Sequence, residues 1–262
     1  MATLPAAASL TDVEYGRADG TSLRMDAQIP PGPGPFPAVI LVHGGGWVGG
    51  SRTWNVSPLF EPLNQAGFAW FSISYRLAKD FFHFGVAVAD VRQAVHHVRS
   101  HASEYNIDPA RIALLGESAG GHLASLAALE EPESVAAVVA LYSPNDLEYL
   151  THTSLAVPEQ FRQAMQTRGL AGLITAHLRS LSPVAHVRPD APPFLLIHGT
   201  ADTVVPYSQS TRMQAELKTA GASCDLIAVP GGGHGMRYWD HSPGQTGYRR
   251  NMIAWLKKKL AA

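Results

Sequence analysis

Several features that would place this chain in a common functional class are missing from it. Cys224 is the single cysteine among 262 residues, so no disulfide can close within the chain. Its apolar run, CDLIAV, marks it as a buried strand residue rather than a reactive thiol. Neither sign of charge is in excess: 20 basic and 21 acidic side chains leave a net charge of −1. The one block of like charge, KKK at 257–259, suits the last turn of a helix, where cations meet the negative end of the dipole. Nucleic acid and acidic membrane surfaces are therefore not expected partners.

Metal and nucleotide signatures are also lacking. His97 and His101 stand four apart on a helical segment, without an HExxH pattern or a carboxylate at ligand spacing, so no metal site is expected there. The runs of three glycines lack the Lys-Ser/Thr ending of a phosphate loop, and GESAGG at 116–121 is not GxGxxG. The opening MATLPAAASL has no basic n-region and no stretch apolar enough for a signal peptide or a membrane span. The expected location is cytoplasmic, or secreted or periplasmic if an export signal has been removed. Oligomeric state has no signature in the sequence.

What is present describes a well-packed globular protein, with 46% apolar and 16% charged residues. Short strands are expected at 12–15 and 23–29, around the turn ADG at 18–20. The β-branched run AVILVHG, a helix near 55–66 and the run FAWFSISY follow. Val86, Val88, Val91, Val95 and Val98 recur at near-helical spacing, which predicts a long amphipathic helix over 86–103. Further strands are expected at RIALLG, VAAVVALYS, PFLLIHG and 224–229, with helices after GESAGG and at 207–220 and 246–260. This alternation predicts an α/β fold with a mostly parallel central sheet flanked by helices. Residues 1–262 read as one domain, from which 146–190 departs as a small helical insertion.

The segment GESAGG is G-x-S-x-G at a strand-to-helix junction. Such a turn forces strained angles on Ser118 and brings chains close enough to require glycine at 116 and 120. It holds the hydroxyl above the sheet at a helix N-terminus, where the amide of Ala119 can donate to an oxyanion. A serine needs a base, itself oriented by a third group. HGTADTVVP at 198–206 puts Asp202 just past one strand, and PGGGHG at 230–235 puts His234 just past another. These loops lie at carboxyl ends of parallel strands, where Ser118 also sits and where ligands bind in open α/β sheets. HGGGW at 43–47 supplies consecutive glycines whose amides can point at one spot, so Gly45 and Gly46 join Ala119 as candidate oxyanion donors. His43 is read as bracing this loop, and Glu117 as fixing the turn by hydrogen bonding.

Together, HGGGW, SYRLA at 74–78, GESAGG, HGTADTVVP and GGGHG resemble the hormone-sensitive-lipase-like esterases. They are more similar still to the small bacterial carboxylesterases grouped with feruloyl and acetyl-xylan esterases, over residues 23 to 260. The resemblance implies an α/β-hydrolase with nucleophile Ser118, base His234, orienting acid Asp202 and oxyanion donors Gly45, Gly46 and Ala119. It implies short-chain acyl esters or carbohydrate-linked acetyl or feruloyl esters as substrates, with no metal or organic cofactor. Two features depart from the larger lipase-like relatives. No N-terminal helical cap fits before the first strands, and the acid lies in HGTADTVVP, which resembles the corresponding loop of prolyl-oligopeptidase-like hydrolases.

The alternatives are an amide hydrolase, peptidase-like or arylformamidase-like, and a hydrolase fold reused as a ligand receptor. Aromatic residues near the expected mouth are Trp47, Phe81, Phe82, Phe84, Tyr142, Tyr238 and Trp239. Trp47, Tyr142 and Trp239 are the candidates for the substrate pocket. A neutral imidazole base implies activity that falls as pH drops through about 6.5.

Overall fold

The computed structural model describes residues 7–79, 83, 85–154, 156, 157, 162, 163, 167, 169, 171–240 and 245–261. Phe81, Phe82 and Phe84 lie outside the described residues. The chain opens with a hairpin, β1 (Ala8–Ala18) and β2 (Thr21–Ile29), in which Ala18 pairs with Thr21 across the two-residue loop Asp19-Gly20. Both strands run longer than the expected 12–15 and 23–29. The reason is that β1 is an edge strand with only one fully buried residue, Tyr15, so little hydrophobic alternation marks its length.

β2 pairs antiparallel with β4 (Ala69–Ile73). From there every pairing is parallel, through β3 (Phe36–Val42), β5 (Ile107–Glu117), β6 (Ala137–Leu141), β7 (Phe194–Gly199) and β8 (Cys224–Val229). The strand order is β1-β2-β4-β3-β5-β6-β7-β8. The central strands are apolar on both faces because helices cover both. On one side Ile40, Leu114, Val138 and Leu196 pack with α2 (Val86–Ser100) and α3 (Ala119–Glu130). On the other, Leu41, Leu115, Val139 and Ile197 meet α8 (Gly247–Lys259) and Leu63 of α1 (Phe60–Gln65). Of the valines that predict α2, Val88, Val91, Val95 and Val98 are buried, while Val86 stands partly exposed at its first turn.

Between β6 and β7 the chain forms α4 (Leu147–Thr153), α5 (Ala171–Ser180) and a 3-10 turn at Pro183–His186, in the stretch where helix was expected. α6 (Ser208–Thr219) precedes β8. A five-residue helix, α7 (Met236–Asp240), follows it and was not expected, since five residues are too few to show a helical period. No helix among the described residues is long and apolar enough to cross a membrane.

Candidate active site

Ser118 stands between the end of β5 and the first residue of α3, with φ 52° and ψ −123°. A non-glycine residue with positive φ is held there by its surroundings. The flanking glycines allow it: a Cβ on Gly116 would collide with the Gly120 carbonyl, and one on Gly120 with the carbonyls of Val42 and His43. The sheet core beneath and the buried face of α3 leave the hydroxyl projecting from the carboxyl edge.

Asp202 follows β7 and His234 follows β8, so both reach the same edge. His234 Nδ1 lies 2.7 Å from Asp202 Oδ2, and a carboxylate can only accept, so Nδ1 carries the proton. The neutral ring then turns its Nε2 lone pair to Ser118, whose Oγ–H donates to it over 2.9 Å. The other carboxylate oxygen, Oδ1, accepts the amides of Val204 and Val205, each at 2.9 Å. His198 adds a further approach to Oδ2 at 3.4 Å while its Nε2–H donates to the Val205 carbonyl. Burial alone would raise the Asp202 carboxyl. The hydrogen bonds from His198 and His234, with the Val205 amide, overcome it and hold the group at about 2. His198 has no motif of its own in the sequence, although its place four residues before Asp202 could have suggested a contact.

The loop after β3 faces the serine. Gly45 and Gly46 adopt φ 125° and 61°, and the Gly45 carbonyl accepts the amides of Val48 and Gly49 in a tight turn. Glu117 is buried, and its Oε1 accepts the Gly44 amide at 2.5 Å, which ties the loop to the residue before Ser118. His43 stacks on Tyr75 at 4.3 Å, and the Tyr75 hydroxyl donates to the His43 carbonyl. Burial lowers the His43 imidazole, against a smaller opposing effect of the Gly44 carbonyl, which suits an uncharged brace.

Two cavities meet at Gly46, Ser118 and Val204. The larger, about 630 Å³, is bounded by His234, Tyr142, Trp54, Arg237 and Tyr238. The other, about 450 Å³, is walled by Trp47, Ala119, Leu150, Val157 and Val205. Trp47 thus lines one cavity and Tyr142 the other. Tyr142 sets its ring edge-on against His234 at 5.0 Å, and burial, then the Glu117 carboxylate, pushes its hydroxyl well above the ordinary range. Trp239 does not line either cavity: it is fully buried, packs on Tyr142 and Tyr248, and donates its indole N–H to the Gly233 carbonyl. Its place on α7 turns the ring inward, so proximity in sequence to His234 misplaced it. Trp54 and Arg237, whose guanidinium lies 5.3 Å from the Trp54 ring centre, belong to no motif, so nothing in the sequence marks them. Among the described residues, no three His, Cys, Asp or Glu side chains are grouped to hold a metal ion.

The BD-FAE family model matches residues 25–217. The chain belongs to the BD-FAE family. Its fold is the α/β-hydrolase fold, shared over 97% of both chains with a truncated carbohydrate esterase from gut microbiota, at 27% identity and a TM-score of 0.78. Esterase Est2 of the planctomycete Thermogutta terrifontis, solved with butyrate bound, is 25% identical with a TM-score of 0.76, over 98% of this chain and 95% of that one. Esterase LipC of Mycobacterium tuberculosis (strain ATCC 25618 / H37Rv) is 32% identical over 84% of this chain and 57% of its own length. The chain spans about half the length of the curated relatives it matches.

Proposed function

We propose that this BD-FAE protein is a serine carboxylesterase that hydrolyses short-chain acyl esters or carbohydrate-linked acetyl or feruloyl esters. The observation that carries the proposal is the unbroken relay Ser118–His234–Asp202, at 2.9 and 2.7 Å, opening where two cavities meet. Ser118 Oγ attacks the ester carbonyl as its proton passes to His234 Nε2, giving a tetrahedral intermediate. The amides of Gly45, Gly46 and Ala119 are the proposed donors to its oxyanion. His234 then returns the proton to the leaving alcohol, and the acyl group stays on Ser118 until water, activated by the same imidazole, releases it. Asp202 holds the tautomer and stabilises the imidazolium.

Proton delivery orients the substrate. The leaving oxygen must approach His234 Nε2, so the alcohol belongs in the cavity bounded by His234, Tyr142 and Trp54. The acyl chain belongs in the apolar cavity beside Ala119. Support for esters comes from the named activities of LipC and of the carbohydrate esterase, and support for a short acyl group from the butyrate bound to Est2.

The test is turnover of p-nitrophenyl esters from acetate to decanoate, followed by feruloyl and acetyl-sugar esters. The fastest hydrolysis is expected at two to four carbons, and Ser118→Ala is expected to lower turnover by about 10⁶. A folded protein inactive on every ester would refute the proposal, as would full activity in Ser118→Ala.

A further inference from the structure

His122 is fully buried on α3, one turn after the serine, and its amide donates to the Ser118 carbonyl. It lines neither cavity. Its Nε2 lies 2.7 Å from the Leu181 carbonyl, and a carbonyl only accepts, so Nε2 carries the proton. The neutral ring then presents a lone pair at Nδ1, to which the Trp47 indole N–H donates over 3.1 Å. The two rings meet edge to face, with centroids 5.3 Å apart.

Trp47 is an unusual residue to find with φ 65°. A bulky side chain in the left-handed region persists only where its neighbours hold it. It directly follows Gly46, one of the proposed oxyanion donors, and its carbonyl accepts the Ala78 amide at 2.8 Å. Two anchors of the glycine loop come from the β5–α3 turn: Glu117 holds Gly44, and His122 holds Trp47. One anchor directly precedes Ser118 and the other follows it by one helical turn, which puts the donors and the nucleophile on one frame.

We propose, resting on the esterase function above, that His122 is a positioning residue that fixes the oxyanion loop through the Trp47 indole. Burial lowers its imidazole to about 4, against a smaller opposing effect of the Leu181 carbonyl, so the acceptor lone pair persists at neutral pH. Leu181 also lies at the end of the segment carrying α4 and α5, so the same ring joins that segment to the loop.

The experiment compares wild type, His122→Leu, His122→Asn and Trp47→Phe on one p-nitrophenyl ester, with thermal melting to confirm folding. Leucine removes the acceptor, whereas the asparagine Oδ1 can stand close to where Nδ1 was. Trp47→Phe removes the donor and leaves His122 in place. His122→Leu and Trp47→Phe are each expected to lower kcat by about 10-fold to 100-fold, since small displacements of catalytic groups cost that much; in His122→Leu, which leaves both cavity walls intact, KM is expected to change less than about twofold. His122→Asn is expected to recover most of the loss, and the double variant with Trp47→Phe to be no worse than either single change. An unchanged kcat in folded Trp47→Phe or His122→Leu would overturn the proposal. So would equal losses in the Asn and Leu variants, which would mark a packing role alone. Labelling of Ser118 by a fluorophosphonate separates the two levels of inference. An unlabelled wild type refutes the esterase function, whereas equal labelling rates in wild type and His122→Leu refute only the role of His122.

Discussion

At Asp202 two opposing effects meet. Burial favours the neutral acid, yet the hydrogen bonds from His198 and His234 win and hold the carboxyl at about 2. In an unfolded chain the same group titrates near 3.9. Its folded value is therefore depressed, and ionisation contributes about 2 kcal/mol of stability. That contribution is complete above the unfolded value and is lost as pH falls from about 4 to about 2. Asp202→Asn is expected to flatten the dependence of Tm on pH across this window, as followed by circular dichroism. An equally steep fall in the variant would assign the acid sensitivity to other carboxylates. The same substitution is expected to cost about 10⁴ in kcat, because an amide can donate to Nδ1 and favour the wrong tautomer. Ser118, Asp202 and His234 could all be found in the sequence because each sits in a short loop after an apolar strand. The ring directions of Tyr142 and Trp239 could not, since they depend on φ 38° at the first and on a five-residue helix under the second.

Close backbone approach constrains the turn from β5 into α3. Gly120 packs against the carbonyls of Val42 and His43, so any Cβ must displace the end of β3. Gly120→Ala is expected to destabilise by about 2 kcal/mol, or roughly 5 °C in Tm, and to lower activity through Ser118. Gly172 on α5 is the control, with open space around its Cα and no positive φ. Gly172→Ala is expected to stabilise by about 0.5 kcal/mol, because alanine has fewer unfolded conformations to lose. A scan in which both changes behaved alike would show that close approach is not what demands glycine at 120. Elements with long buried runs, β3 through β7, were legible because burial on both faces leaves nearly continuous apolar sequence. The extra length of β1 was not, since its solvent-facing edge carries mixed residues.

At the scale of the whole molecule, the loops after β3, β5, β7 and β8 meet at one edge, and the segment between β6 and β7 walls one side of the site they form. Leu150 of α4 is part of that wall and is nearly buried. With the acyl group placed as proposed, Leu150→Ala is expected to favour octanoate over acetate by on the order of tenfold more than wild type does, measured as the ratio of kcat/KM values. An unchanged chain-length profile would put the acyl group elsewhere. None of this wall was legible residue by residue, because the segment lacks one sustained period and its side-chain directions follow from tertiary packing. Val204 is a different matter, since its side chain belongs to both cavities and its amide holds Asp202. With alcohol and acyl group placed as proposed, selection acting there is pleiotropic: a variant chosen for a new alcohol inherits an altered taste in acids, and the two preferences cannot drift apart through this position.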